Sequence, residues 1–160
     1  MTNVSTANAP AWPRQSECRA FYGAPGTNQV VIDLPYLMTY DGRPVRRMTI
    51  NRRCADSAIR ALTKISREYT EAERKELGLS IFGGCFNNRK MRGGSALSMH
   101  AYACAIDFDP ARNQLRWGRD KARLAKPDCE AFWRAWEEEG WVSLGRLKNF
   151  DWMHVQAARL

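Results

Sequence analysis

Both histidines of this 160-residue chain stand close to an aspartate, in two segments some fifty residues apart, and that pairing constrains the fold more than any other feature. The first segment reads Ser98-Met99-His100-Ala101-Tyr102-Ala103-Cys104-Ala105-Ile106-Asp107, and the second Asp151-Trp152-Met153-His154. His100, Asp107 and His154 make up the three-ligand set of a catalytic zinc site, which keeps its fourth position open, and Asp151 is left over as a base. A fold that uses them must carry the second segment back against the first. Such a long-range return suits an enzyme site and differs from the tight ligand spacing of structural zinc modules.

Local geometry follows from the spacing. His100 and Asp107 are an odd number of residues apart, so one straight strand would point them to opposite faces, and the chain is expected to turn after His100. From Ala103 onward the pattern alternates, predicting a strand over Ala103–Phe108 that buries Ile106 and Phe108 and presents Asp107 to a cleft. Asp151 and His154 are three apart, which suits a helical turn and not a regular strand. A bulge or a strand end is needed there.

The first segment resembles the Ser-x-His-x-x-Gly-x-Ala-x-Asp signature of the zinc D-Ala-D-Ala carboxypeptidase and L-alanyl-D-glutamate peptidase family, with Ala103 standing where the family has Gly. Asp151-Trp152-Met153-His154 resembles its second motif, which joins a base to a ligand. Phe82-Gly83-Gly84-Cys85-Phe86-Asn87-Asn88-Arg89, followed by Met91-Arg92-Gly93-Gly94, is similar to the phage endolysin branch, and the likeness runs from about Phe21 to Gln156. The resemblance implies an α+β, Hedgehog/DD-peptidase-like zinc peptidase fold: a small, mainly antiparallel sheet with packed helices. It also implies Zn2+ on His100, Asp107 and His154, with Asp151 as the base. An arginine would stabilise the oxyanion or hold a substrate carboxylate, assigned to Arg89 first and Arg92 second, and Ser98 would assist substrate binding. The implied substrate is the stem peptide of peptidoglycan. L-alanyl-D-glutamate is the expected bond, D-Ala-D-Ala the alternative, and cell-wall degradation for host lysis the expected role.

Composition narrows the partners without choosing one. A net charge of +8 favours an anionic polymer, and nucleic acid, a membrane surface and the bacterial wall all qualify by sign. With the resemblance, the wall is expected, no nucleic acid is expected, and the protein is read as a monomer. No apolar run approaches the length of a membrane span. Residues 1–20 lack the basic start and apolar middle of a secretory signal, so synthesis in the host cytoplasm and release through a membrane lesion made by another protein are expected. The five cysteines show no C-x-x-C spacing and read as reduced thiols; Cys104 falls on the strand face opposite Asp107, against a ligand role.

Along the chain, residues 1–17 read as a flexible N-terminal arm and 18–160 as a single catalytic domain. Extended segments are expected at Val30–Ile32 and Leu34–Met38, divided by Pro35, with Asp41-Gly42 as a hairpin turn before Val45–Ile50. Ala55, Ala58, Ile59, Leu62, Ile65 and Tyr69 recur at helical spacing, and residues 70–76 suggest a second short helix before Gly78. Leu79–Phe86 reads as a strand interrupted by Gly83-Gly84. Residues 114–126 form a basic connection. Pro127 and Asp128 open a helix with Cys129, Phe132, Trp133 and Trp136 on its core face, stopped at Gly140, and Trp141-Val142 and Trp152–Gln156 supply the last strands. Two rivals come from other classes: a catalytically silent basic module that binds wall or nucleic acid, and a glycosidase built on Asp107 and Asp109.

Overall fold

A computed structural model describes residues 11–160. Strand β1 (Gln29–Tyr40) pairs antiparallel with β2 (Arg43–Asn51), and the turn between them places Asp41 at φ 49° and Gly42 at φ 74°, the left-handed pair whose twist suits a tight hairpin. Pro35 does not divide β1 as expected. The register slips between Asp33 and Met38, and a proline inside such an irregularity breaks no ladder bond.

Helix α2 (Arg52–Glu68) begins at Asn51, whose side chain accepts from the Arg53 amide at 3.0 Å, and it buries Ala55, Ala58, Leu62 and Ile65 as their spacing requires. Helix α3 (Glu71–Leu77) follows, capped by Thr70 and ended by Gly78 in the left-handed region. Helix α4 (Glu130–Glu138) buries Phe132, Trp133 and Trp136 and packs on α2, and Phe132 meets Phe108 edge to face. The aromatic stripe is therefore core.

The second sheet is antiparallel throughout, in the order β3 (Phe82–Gly84), β4 (Ala105–Phe108), β6 (His154–Gln156), β5 (Val142–Ser143). The α+β class holds, but the strands divide into this sheet and the separate hairpin. The strand expected over Leu79–Phe86 shrinks to three residues. Its glycines explain the approach to β4: a methyl at Gly83 would stand 2.9 Å from Asp107 Cβ.

Two short helices were not legible from periodicity, α1 (Cys18–Tyr22) and α5 (Leu144–Lys148). At Gly145 in α5 an added Cβ would lie 2.6 Å from Trp152 Cγ, pressed against the indole of a residue that is 2% exposed. Gly145→Ala should destabilise the protein by about 1–3 kcal/mol through overpacking. Thermal melting checks this, and an unchanged midpoint would contradict so tight a contact.

Of the expected N-terminal arm, residues 1–10 lie outside the described residues. From Trp12 the chain is packed: Trp12 is buried and its indole N–H donates to the Glu139 carbonyl at 2.8 Å, while Arg14 bridges Arg159. A large apolar ring with a satisfied polar tip holds the segment down, so the body begins before residue 18. Among the described residues no helix is long and apolar enough to cross a membrane.

Candidate metal centre

His100 sits on a 3-10 turn, Met99–Tyr102, which supplies the change of direction its distance from Asp107 demands. Ser98 caps this turn, its hydroxyl accepting from the His100 amide at 3.2 Å. The turn closes at Ala103 with φ 53°, a left-handed conformation that costs an L-residue roughly 1–2 kcal/mol and that glycine adopts freely. The alanine is held there by its carbonyl, which accepts from the Asn51 amide at 2.9 Å.

Asp107 lies in β4 directly opposite His154, the first residue of β6, so the sheet register itself joins the two motifs. Asp151 precedes β6 at φ 54°, and its carbonyl accepts from the His154 amide at 3.1 Å. This tight turn at a strand end is the irregular geometry that the three-residue spacing required.

Asp107 Oδ1 lies 3.2 Å from His100 Nε2 and 3.3 Å from His154 Nδ1, and the three ligand atoms fall within 4.8 Å of one another. A zinc tetrahedron with bonds of about 2.0–2.1 Å has edges of about 3.3–3.4 Å. Each imidazole is oriented by its other nitrogen. His100 Nδ1 is 2.8 Å from the Cys85 carbonyl, and His154 Nε2 is 2.8 Å from Gln156 Oε1. Both partners accept, so those nitrogens carry the hydrogens and the inward-facing nitrogens present lone pairs. Three acceptors then converge on one buried point, where His100 Nε2 and Asp107 Oδ1 have no hydrogen-bond partner. Such a donor set fits a cation.

The electrostatics agree. Burial works to raise the Asp107 carboxyl, but the two imidazoles beside it hold it well below the usual carboxylate range. Burial disfavours a charged His154, yet Asp107 and Asp151 raise it above the ordinary imidazole value. Positive charge is wanted at this point. Asp151 behaves oppositely: burial raises its carboxyl, with Asp107 adding to the rise and His154, His100 and Arg92 opposing it. Its Oδ2 is 3.8 Å from His154 Nδ1, beside the cluster but outside it.

The centre opens into a cleft of about 1400 Å³ whose lining includes residues of the β1–β2 hairpin, residues 114–117 and both ends of α5. Arg47, Arg89, Arg92, Arg116 and Lys148 line it, and its acids among the described residues are Asp107 and Asp151. Arg116 thus brings part of the basic connection to the cleft. Arg89 is half-buried and its Nη1 donates to the Lys90 carbonyl at 3.2 Å, whereas Arg92 is exposed and its charge bears on Asp151. The glycosidase pair fails here: Asp109 is buried, with its carboxylate paired to Arg112 and outside the cleft. All five cysteines are buried and free, and Cys85 serves the centre through its carbonyl, not its thiol.

Sequence reading missed Gln156 and Cys85 as orienting groups. A glutamine two residues beyond His154 on the same strand face was the available signal for the first; a backbone carbonyl leaves none.

No curated protein and no solved structure matches the chain significantly. Residues 92–157, about two fifths of the chain, match a family described as D-alanyl-D-alanine carboxypeptidase. That segment holds Ser98, His100, Asp107, Asp151 and His154 together, so the chain carries a segment similar to that peptidase family with a His/Asp/His cluster consistent with zinc.

Proposed function

We propose that this chain is a zinc-dependent carboxypeptidase of the peptidoglycan stem peptide, cutting a D-alanyl-D-alanine bond. The observation that carries the metal reading is the convergence of two imidazole lone pairs and a carboxylate oxygen on one buried, unpartnered point; the bond is supported by the description of the matched family. Zinc, when bound, acidifies a coordinated water and polarises the scissile carbonyl. His100 Nε2, Asp107 Oδ1 and His154 Nδ1 hold the metal. Asp151, its carboxyl raised by burial, accepts the water proton at Oδ2 and returns it to the leaving amine. Arg92, whose charge reaches Asp151, is taken ahead of Arg89 as the group that steadies the developing oxyanion or grips a substrate carboxylate. Ser98 holds the His100 turn and lies on the cleft wall.

A second reading keeps the same centre and moves the bond to L-alanyl-D-glutamate, with the lytic, endolysin-like role and release through a membrane lesion attached to it. The cleft favours it: about 1400 Å³ exceeds the roughly 300–1,000 Å³ of a small-molecule pocket and suits a peptide held within a polymer.

Purified peptidoglycan and a synthetic stem pentapeptide, treated with and without chelator and zinc add-back, separate these readings. Chelation should abolish amine release and zinc restore it. Free D-alanine identifies the carboxypeptidase, while a new glutamate amino terminus identifies the endopeptidase. Folded, zinc-loaded protein that releases neither would sink the peptidase reading.

A further inference from the structure

We infer that Gln15, from the N-terminal segment, is a positioning residue for the metal centre, acting through Gln156 on His154. The inference rests on the metal-centre reading above. His154 ligates through Nδ1 only if its hydrogen sits on Nε2, and that hydrogen is received by Gln156 Oε1 at 2.8 Å. A glutamine amide can present either its oxygen or its NH2 group, and the wrong choice would reverse the imidazole. The choice is made from behind. Gln156 Nε2 donates to Gln15 Oε1 at 2.9 Å and to the Ala158 carbonyl at 3.0 Å, so both its hydrogens are committed to acceptors. Turning the amide over would set its oxygen against two acceptors in a site where Gln156 is 1% exposed.

Gln15 is itself fixed in place. Its backbone N–H donates to the Arg159 carbonyl at 2.7 Å, and the neighbouring Arg14 bridges Arg159, tying the start of the described chain to its end. Gln15 lines the same cleft as the ligands. The N-terminal segment therefore reaches the centre by three links: Gln15 to Gln156, Gln156 to His154, and His154 Nδ1 to the ligand position.

The test uses the full chain, zinc binding measured by competition with a chromophoric chelator, and 15N NMR of the imidazoles in zinc-free protein. With two histidines in the chain, the ring spectrum holds two spin systems. Gln15→Met keeps the length but removes the acceptor at a half-buried position, and Gln15→Glu restores an acceptor. Gln15→Met should weaken zinc binding about tenfold, the lower edge of the range for groups that orient a ligand, and should mix the His154 tautomers. Gln15→Glu should retain both wild-type affinity and the Nε2–H form. A Gln15→Met protein with zinc affinity within twofold of wild type and an unchanged His154 ring state would overturn the inference. Wild-type protein that binds no zinc, yet loses its His154 tautomer in Gln15→Met, would uphold the relay and remove the metal reading instead.

Discussion

Asp107→Asn should abolish zinc binding while leaving the fold standing. The carboxylate oxygen is the shared neighbour of both imidazoles, at 3.2 and 3.3 Å, and it carries the only negative charge in the ligand set. Removing that charge should weaken zinc by more than about a hundredfold, beyond the range seen when only an orienting partner is lost. The metal-free protein should tolerate the change, because an asparagine NH2 can donate to an imidazole lone pair where the carboxylate offers only another acceptor. Thermal melting with and without zinc reads both effects. At a zinc concentration about a thousandfold above Kd, the wild type should gain about 4 kcal/mol, or roughly 8–16 °C at this size. The variant should melt near the metal-free wild type and gain almost nothing. Stoichiometric zinc on purified Asp107→Asn would rule out this ligand set.

Residues whose role depends on sequence spacing were the legible ones. The odd offset from His100 to Asp107 demanded a turn, which is the 3-10 segment Met99–Tyr102 ending at left-handed Ala103. The three-residue offset from Asp151 to His154 demanded a strand end, which is left-handed Asp151 leading into β6. The α2 and α4 stripes followed from helical period, and the Asp41-Gly42 turn from its chemistry. Elements held by distant contacts were not legible. Helix α5 has five residues, and its Gly145 is explained by Trp152 beside it in space. Local pattern placed residues 11–17 in an arm because it cannot register that Trp12 finds Glu139 across the fold.

The choice between Arg89 and Arg92 illustrates the same limit. Both sit in a glycine-flanked loop, and nothing in the order of residues distinguishes them. The ground for proposing Arg92 is three-dimensional: the Arg89 guanidinium is drawn to its neighbour's carbonyl, while the charge of Arg92 bears on Asp151. Arg92 is also the first residue of the segment that matches the carboxypeptidase family, with Arg89 just outside it. Gln15 gives sequence reading no signal, since its contact with Gln156 joins residues 141 apart in the chain.

Asp151→Asn should lower kcat by about 10²–10⁴-fold with zinc still bound, the range for losing a positioned proton acceptor, equivalent to roughly 3–5 kcal/mol of barrier. Asparagine is the informative replacement because position 151 is left-handed at φ 54°, a conformation that asparagine tolerates well. The backbone bonds persist: the residue's amide still donates to the Leu115 carbonyl at 2.8 Å and its carbonyl still accepts from His154. Asp151→Ala should show the same kinetic loss with about 1–2 kcal/mol of added strain, so comparing the two variants separates chemistry from folding. Because Asp151 Oδ2 stands 3.8 Å from His154 Nδ1, outside the ligand cluster, zinc affinity should change far less than in Asp107→Asn. Amine release at saturating zinc, with metal content measured on the same samples, reads both quantities. If zinc-loaded Asp151→Asn kept more than about a tenth of wild-type turnover, the proton would have to leave by another group, and the raised carboxyl at the mouth of the centre would be a structural feature of the turn.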